Sequence, residues 1–181
     1  MKDQRGATLL ELIVVLAVSA ILLTIAVPGF SALFLSNRLT GATNALVASL
    51  HLARSEAIKR SNRVVMCPSS TGSACAAGGW QQGWMVFHDA NNNAQREAGE
   101  PVVLAHPPLS AGMWATSKGS TASYISYTPS GATQQVSGAI QAGTLTLCNA
   151  SGPLDSAREV VISRTGRPRT AKTSVASCPP A

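Results

Sequence analysis

An apolar segment near the start of the chain gives way to an amphipathic one. Residues 7–30 carry a single charge, Glu11, over a length that suits a membrane span. Further along, apolar residues recur at three- and four-residue steps from Leu39 to Ala57, a spacing that places them on one face of a helix. The pattern predicts one long helix over roughly residues 8–60, whose second half packs against a domain.

Short β-like runs, broken by Gly, Pro, Ser and Asn, follow the helix. One helix followed by several short strands indicates an α+β fold, in which an antiparallel sheet packs against the helix. Residues 110–143 are rich in Ser, Thr and Gly, so we expect long loops there around one or two of the strands. The predicted strands are Arg63–Cys67, Gly83–His88, Pro101–Leu104, Ser123–Tyr127, Thr144–Cys148 and Glu159–Ser163.

The net charge of +6 is concentrated in two parts of the chain. Residues 158–181 hold five basic residues and one acidic residue, a net of +4, whereas residues 64–157 hold two basic and four acidic residues, a net of −2. The second basic part is the segment Arg38–Arg63. Localised charge of this kind sets up a directional field that attracts an anionic partner.

Four cysteines, with no C-x-x-C and no His at zinc spacing, predict two disulfides in an oxidising compartment. Three pairings are possible. We favour Cys67–Cys75, which closes a small loop, together with Cys148–Cys178, which ties the C-terminal segment to a strand.

The N-terminal junction resembles that of the type IV pilin and pseudopilin superfamily. Members have a basic leader ending in Gly, an apolar helix with Glu as the fifth mature residue, and often Pro near the twenty-second. Here Arg5-Gly6, Ala7, Glu11 and Pro28 take these places, although the first mature residue is usually Phe or Met. The resemblance implies cleavage after Gly6 by a prepilin peptidase and N-methylation of Ala7.

The resemblance also implies a division of the chain and a location. Residues 1–6 are the leader, residues 7–30 a membrane and filament-core helix, and residues 31–181 a periplasmic domain, which lies on the pilus after assembly. Because a carboxylate within an apolar helix is expensive in lipid, we expect Glu11 to pair with the N-terminal amine of a neighbouring subunit. The alternative is a signal anchor whose Glu11 reaches the interface. Basic residues before the apolar run predict a cytoplasmic N-terminus and a single pass through the inner membrane.

The middle of the chain is similar to the GspH/FimT group of minor pilins and pseudopilins. In that group a Cys-Pro after the first strand is followed by W-x-x-G-W-x-V-F and an Asp/Asn-rich turn leading to Gly-Glu. Residues 67–68, 80–87 and 89–100 match these features, and the similarity covers most of the chain outside residues 106–143. It implies a pilin-like fold and assembly with other major and minor pilins.

The C-terminal segment holds the candidate binding site. A predicted strand ending at Ser163 runs into a Gly-Pro-containing turn rich in arginine. Guanidinium groups stay charged and form bidentate hydrogen bonds with phosphate, and a Cys148–Cys178 bond would hold them on a closed loop. In the FimT branch a Gly-Arg-x-Arg motif is associated with DNA binding in natural transformation, and residues 166–169 match it.

The resemblance therefore implies that the tail, residues 158–181, binds the phosphate backbone of double-stranded DNA without reading bases. The alternatives are a solubilising tail, or a basic edge that docks on another minor pilin, as in a GspH-like pseudopilin of a type II secretion system without DNA affinity. The candidate DNA-binding residues are Arg158, Arg164, Gly166, Arg167, Arg169 and Lys172.

Catalysis, a metal and a cofactor are not expected. Asp89, Asn91, Asn93 and Glu100 have the spacing of a calcium loop, but the turn glycine is replaced by Ala94 and the flanking segments are predicted strands. We favour a hairpin loop whose Asn side chains cap their own backbone. The three histidines are scattered through the sequence, and no nucleophile is paired with an obvious base.

Overall fold

The computed structural model describes residues 8–178, apart from the side chains of Ile25 and Pro28. Gly6 and Ala7, the predicted processing residues, lie outside the described residues. A single helix, α1, runs from Leu9 to Arg60, as the periodicity predicts. It begins with a hydrogen bond from the Glu11 backbone N–H to the Thr8 hydroxyl (3.2 Å), an N-cap that satisfies one of the free amides of the first turn.

The chain divides into two compact units, one up to Asn37 and one from Arg38. In the first unit the described apolar side chains are exposed, Phe34 to 63%, apart from the half-buried Leu35. Among the described residues, α1 is the one helix long and apolar enough to cross a membrane. Leu39, in the second unit, is 2% exposed.

The second unit contains two four-stranded antiparallel sheets. The predicted helix-on-sheet fold is confirmed, with the strands divided between two sheets. One sheet has the order β3-β2-β1-β5 and the other β4-β6-β7-β8. The strands are β1 (Val64–Pro68), β2 (Trp84–His88), β3 (Val102–His106), β4 (Met113–Ser117), β5 (Ile125–Tyr127), β6 (Gly143–Asn149), β7 (Ala157–Ile162) and β8 (Pro168–Thr173).

The core lies between α1 and the two sheets. Leu46, Leu50 and Ala53 of the helix pack with residues of both sheets, among them Trp84 and Leu147. The Trp84 Nε1–H donates to Ser49 Oγ at 2.9 Å, which satisfies the polar end of a buried ring. Burial of these apolar side chains is the main term that holds the helix to the sheets.

The other faces of β1 and β2 are covered by loops. Val65, Met85 and Phe87 form a second cluster with Ala94 of the β2–β3 loop. The Cys67–Cys75 disulfide closes the small loop after β1. It is one of the two bonds that we favoured.

The Asp89–Glu100 segment is the β2–β3 hairpin loop that we favoured over a calcium loop. The buried Asp89 accepts hydrogen bonds from the backbone N–H groups of Asn93 and Ala94, both at 3.0 Å. Glu100 accepts from the backbone N–H groups of Ala90 and Glu97. Asn93 Oδ1 caps its own turn by accepting from the Gln95 N–H at 2.7 Å. Both buried carboxylates are therefore used by the loop's own backbone.

Candidate nucleic-acid interface

The basic tail is a β-hairpin. Strands β7 and β8 pair over their whole length, with Ile162 opposite Pro168 and Ala157 opposite Thr173. The turn between them, residues 163–167, is closed by a hydrogen bond from the Gly166 N–H to the Ser163 carbonyl (2.8 Å). The predicted strand is thus confirmed, but the arginine segment beyond the turn continues as an edge strand that the sequence reasoning missed.

Gly166 is buried and fixes the position of this turn. Its φ is +75°, in the region that favours glycine. A Cβ at Gly166 would lie 2.1 Å from the Gly131 carbonyl oxygen and 2.9 Å from Tyr127 Cε1. The backbone N–H of Thr133 donates to the Arg164 carbonyl at 3.2 Å. The turn is therefore packed against residues 127–133, and Gly166 serves to position it.

Three arginines surround this turn. Arg164, Arg167 and Arg169 are exposed. Arg167 and Arg169 line a groove of about 500 Å³ together with Ser163 and Thr165. Arg164 and Thr165 line a second groove of about 500 Å³, whose other wall is the segment 128–140. Thr165 is common to both grooves, so the structure brings these three predicted residues together.

The structure separates two other predicted residues from this group. Arg158 and Lys172 lie opposite each other across β7 and β8, and Lys172 is three residues from Arg169 along β8. Because side chains alternate between the faces of a strand, Arg158 and Lys172 lie on the face opposite to Arg169. The Arg158 guanidinium donates to the carbonyls of Ser156 (2.8 Å) and Ala157 (3.3 Å), which holds it against its own strand.

Among residues 8–178, the arginines of the turn have no acidic partner. Within residues 8–178, the ion pairs at 4.0 Å or less join Glu56 to Lys59 and Arg60, and the His88 ring also lies 3.4 Å from Glu56. The acidic residue of the hairpin, Glu159, stands opposite Ala171 and Thr146 in the sheet. The positive charge of Arg164, Arg167 and Arg169 is therefore left available to an anion.

A disulfide closes the segment that carries the hairpin. Cys148 of β6 is bonded to Cys178, the second bond that we favoured. After β8 the chain is also held by a hydrogen bond from the Val175 N–H to the Leu154 carbonyl (2.9 Å). The arginines thus lie between two fixed ends, as the favoured Cys148–Cys178 pairing implied.

Sequence reasoning missed the residues that complete the grooves. Thr128, Ser130 and Thr165 contribute hydroxyl groups beside Arg164, and hydroxyls are common hydrogen-bond donors to phosphate. Residues 128–131 read TPSG, a turn sequence, but nothing in the sequence shows that this turn packs on the distant Gly166. That contact depends on how the two sheets meet.

Two family models match the chain. The model described as Type II transport protein GspH matches residues 42–166, and the prokaryotic N-terminal methylation motif matches residues 1–27. No curated protein matches the chain.

Solved structures with the same fold include pilus and secretion proteins. The type IV minor pilin FimU of Pseudomonas aeruginosa matches with a TM-score of 0.61 and 23% identity, over 78% of this chain and 96% of that chain. The minor pseudopilin EpsH from the Type 2 Secretion System of Vibrio cholerae matches with a TM-score of 0.52 and 12% identity, over 75% and 97%. The similarity to the GspH/FimT group is thus confirmed: with most of its length matched by the GspH model and a methylation motif ahead of it, the chain belongs to the GspH family of minor type IV pilins and pseudopilins.

Proposed function

We propose that the chain is a minor type IV pilin of the FimT kind, which binds double-stranded DNA through the arginine turn, residues 163–169, during DNA uptake in natural transformation. One observation carries the proposal: Arg164, Arg167 and Arg169 surround Thr165 on a fixed turn without an acidic partner among the described residues.

The chemistry of the turn fits the phosphate backbone. Exposed guanidinium groups form charge-assisted, bidentate hydrogen bonds with phosphate oxygens, and the hydroxyls of Ser163 and Thr165 lie between them. The hairpin is not a free two-stranded ribbon, because β7 is also paired with β6 in the sheet, so base reading in the major groove is not expected. Binding should therefore be independent of sequence and strongly dependent on salt.

The expected salt dependence follows from the number of contacts. If each of the three arginines neutralises one phosphate, the slope of log K against log salt is about −2.7, from about −0.9 per contact. Between about 50 and 200 mM salt, affinity would then fall about 40-fold. If Arg164 is the one arginine of the turn that remains, the slope is about −0.9 and affinity falls about 3- to 4-fold over the same range of salt.

The test measures DNA affinity against salt with the full-length chain in a non-ionic detergent. Fluorescence anisotropy of a labelled duplex gives K for the wild type, for Arg167→Ala/Arg169→Ala, and for Lys172→Ala. The double variant should reduce the magnitude of the slope by about 1.8, from about 0.9 for each lost contact. Lys172 lies on the same strand as Arg169 but on the opposite face, so Lys172→Ala should keep most of the salt slope. A double variant with the affinity and slope of the wild type would overturn the proposal.

The N-terminal segment supports a proposal about maturation and assembly. In it, a prepilin peptidase cleaves after Gly6, Ala7 is methylated, and residues 7–30 anchor the chain in the inner membrane with residues 31–181 in the periplasm. Glu11 then pairs with the Ala7 amine of a neighbouring major or minor pilin. The methylation motif and the apolar helix support this. Mass spectrometry of the N-terminus in membranes tests it: an intact leader would contradict it.

A second candidate is a structural pseudopilin of a type II secretion system. The description of the matching family model favours it. It predicts binding to other minor pseudopilins and no salt-dependent affinity for DNA. The anisotropy titration therefore separates the two functions.

A further inference from the structure

Arg54 differs from the cations that follow it on α1. Lys59 and Arg60 lie 3.9 and 2.9 Å from carboxylate oxygens of Glu56. Arg54 has no carboxylate within ion-pair distance among residues 8–178, and its Nε is buried without a hydrogen-bond acceptor. A guanidinium group partly removed from water without an acceptor has no competing partner when an anion arrives.

Arg54 is separated from the arginine turn by a single glycine. A Cβ at Gly131 would lie 3.0 Å from Arg54 Nε. A Cβ at Gly166 would lie 2.1 Å from the carbonyl oxygen of the same Gly131. Gly131 therefore contacts Arg54 on one side and the arginine turn on the other, which brings a helix residue next to a hairpin more than a hundred positions away in sequence.

The electrostatics of Tyr127 agree with this arrangement. Burial raises the pKa of Tyr127, and the positive charge of Arg54 offsets part of that rise. Tyr127 also contacts the turn directly, since its Cε1 would lie 2.9 Å from a Cβ at Gly166. Arg54 and the arginine turn are thus both neighbours of one ring.

Hydroxyl groups of the 128–132 turn lie beside Arg164. Thr128 and Ser130, which are hydrogen-bonded to each other at 2.9 Å, flank Gly131 on the 128–132 turn and line the groove of Arg164. The Thr128 hydroxyl donates to the Ala132 carbonyl at 3.1 Å, so the Ser130 hydroxyl is the one of the two that can turn to a phosphate oxygen beside Arg164.

We propose that Arg54 belongs to the same DNA interface as the arginine turn and contacts one further phosphate, across the 128–132 turn from Arg164. This inference rests on the proposed function, because it concerns the same bound duplex. It extends the interface from one hairpin to two turns and a helix, and raises the expected number of phosphate contacts from three to four.

The test compares Arg54→Gln with Lys59→Gln in the full-length chain. Both remove one positive charge from the same helix, but Lys59 lies beside Glu56. Arg54→Gln should reduce the salt slope by about 0.9, whereas Lys59→Gln should leave it unchanged. Equal salt slopes for Arg54→Gln and Lys59→Gln would overturn the inference. DNA binding by the arginine turn would still stand if Arg167→Ala/Arg169→Ala loses its part of the salt slope. If that double variant also binds like the wild type, the proposed function itself fails.

A second measurement needs no variant. Phenylglyoxal modifies arginine side chains, and mass spectrometry reports the extent at each site. Bound duplex should protect Arg54 together with Arg164 and leave Arg38 unprotected. Modification of Arg54 at the same rate with and without duplex, while Arg164 is protected, would contradict a contact between Arg54 and DNA.

Discussion

Gly166→Ala tests whether packing against Gly131 holds the arginine turn in place. Gly166 adopts φ +75°, which favours glycine, and an added Cβ would lie 2.1 Å from a backbone oxygen. That oxygen cannot rotate away as a flexible side chain would. The methyl group must therefore displace the turn, the 128–132 segment, or both.

Two terms give the size of the effect. A non-glycine residue in left-handed conformation costs roughly 1–2 kcal/mol, and overpacking a fixed site costs about 1–3 kcal/mol more. Together they predict a loss of about 2–5 kcal/mol in the free energy of unfolding. Gly138→Ala is the matched control, because Gly138 has φ +86° but nothing within 4 Å of an added Cβ. Gly138→Ala should therefore lose only the roughly 1–2 kcal/mol that the left-handed conformation costs.

Urea denaturation of the full-length chain, followed by tryptophan fluorescence, measures both variants. Trp80 and Trp84 are fully buried in the globular unit, so they report its unfolding. The difference between Gly166→Ala and Gly138→Ala should be about 1–3 kcal/mol. Equal losses would show that the contact with Gly131 does not constrain the turn. At concentrations of urea where Gly166→Ala is still folded, its DNA affinity should be lower than that of Gly138→Ala.

Two further predictions concern buried ionisable groups. Burial and the charge of Arg60 lower the pKa of His88 from 6.5. As the pH falls, the unfolded chain therefore protonates His88 before the folded chain does, so the free energy of unfolding should decrease below about pH 6.5. In His88→Asn, the midpoint of urea unfolding should depend less on pH in that range. The hydrogen bond from Arg60 lowers the pKa of Glu56 from 4.5, which adds a second loss below about pH 4.5. Asp89→Asn should lower the free energy of unfolding by about 1.5–3 kcal/mol, because one of two backbone N–H groups loses its carboxylate acceptor. The control is Asn91→Ala in the same loop. Asn91 is exposed, so this variant should stay within about 0.5 kcal/mol of the wild type. A loss as large for Asn91→Ala would contradict the hydrogen-bond assignment.

Local patterns predicted the parts of the fold that depend on local physics. The helix bounds followed from apolar periodicity, and the strands near Val64, Trp84 and Gly143 followed from short apolar runs between turn residues. The Asp89–Glu100 loop was predicted because Asp and Asn side chains favour capping their own backbone. In each case the residues that decide the structure are close together in sequence.

The edge strand β8 could not be found in this way. Its sequence, PRTAKT, begins with proline and has no apolar alternation, because an edge strand that buries little needs none, and charges there discourage pairing with other chains. Because residues 168–173 were not predicted to form a strand, their side chains were not assigned to alternating faces. The sequence therefore grouped Lys172 with Arg169, which the pairing places on opposite faces.

The fixed turn matters for the proposed function because non-specific DNA binding is weak. Dissociation constants of about 10⁻⁴ to 10⁻⁶ M correspond to about 5.5–8 kcal/mol. A free tail that adopted the turn of residues 163–167 only on binding would lose about 1–2 kcal/mol of backbone entropy for each of its five positions, which is as much as the binding yields. In this chain the Cys148–Cys178 bond and the contact between Gly166 and Gly131 order the turn during folding. In the proposed complex, the free energy of phosphate contact is opposed mainly by the ordering of the arginine side chains, about 0.5–1.5 kcal/mol each.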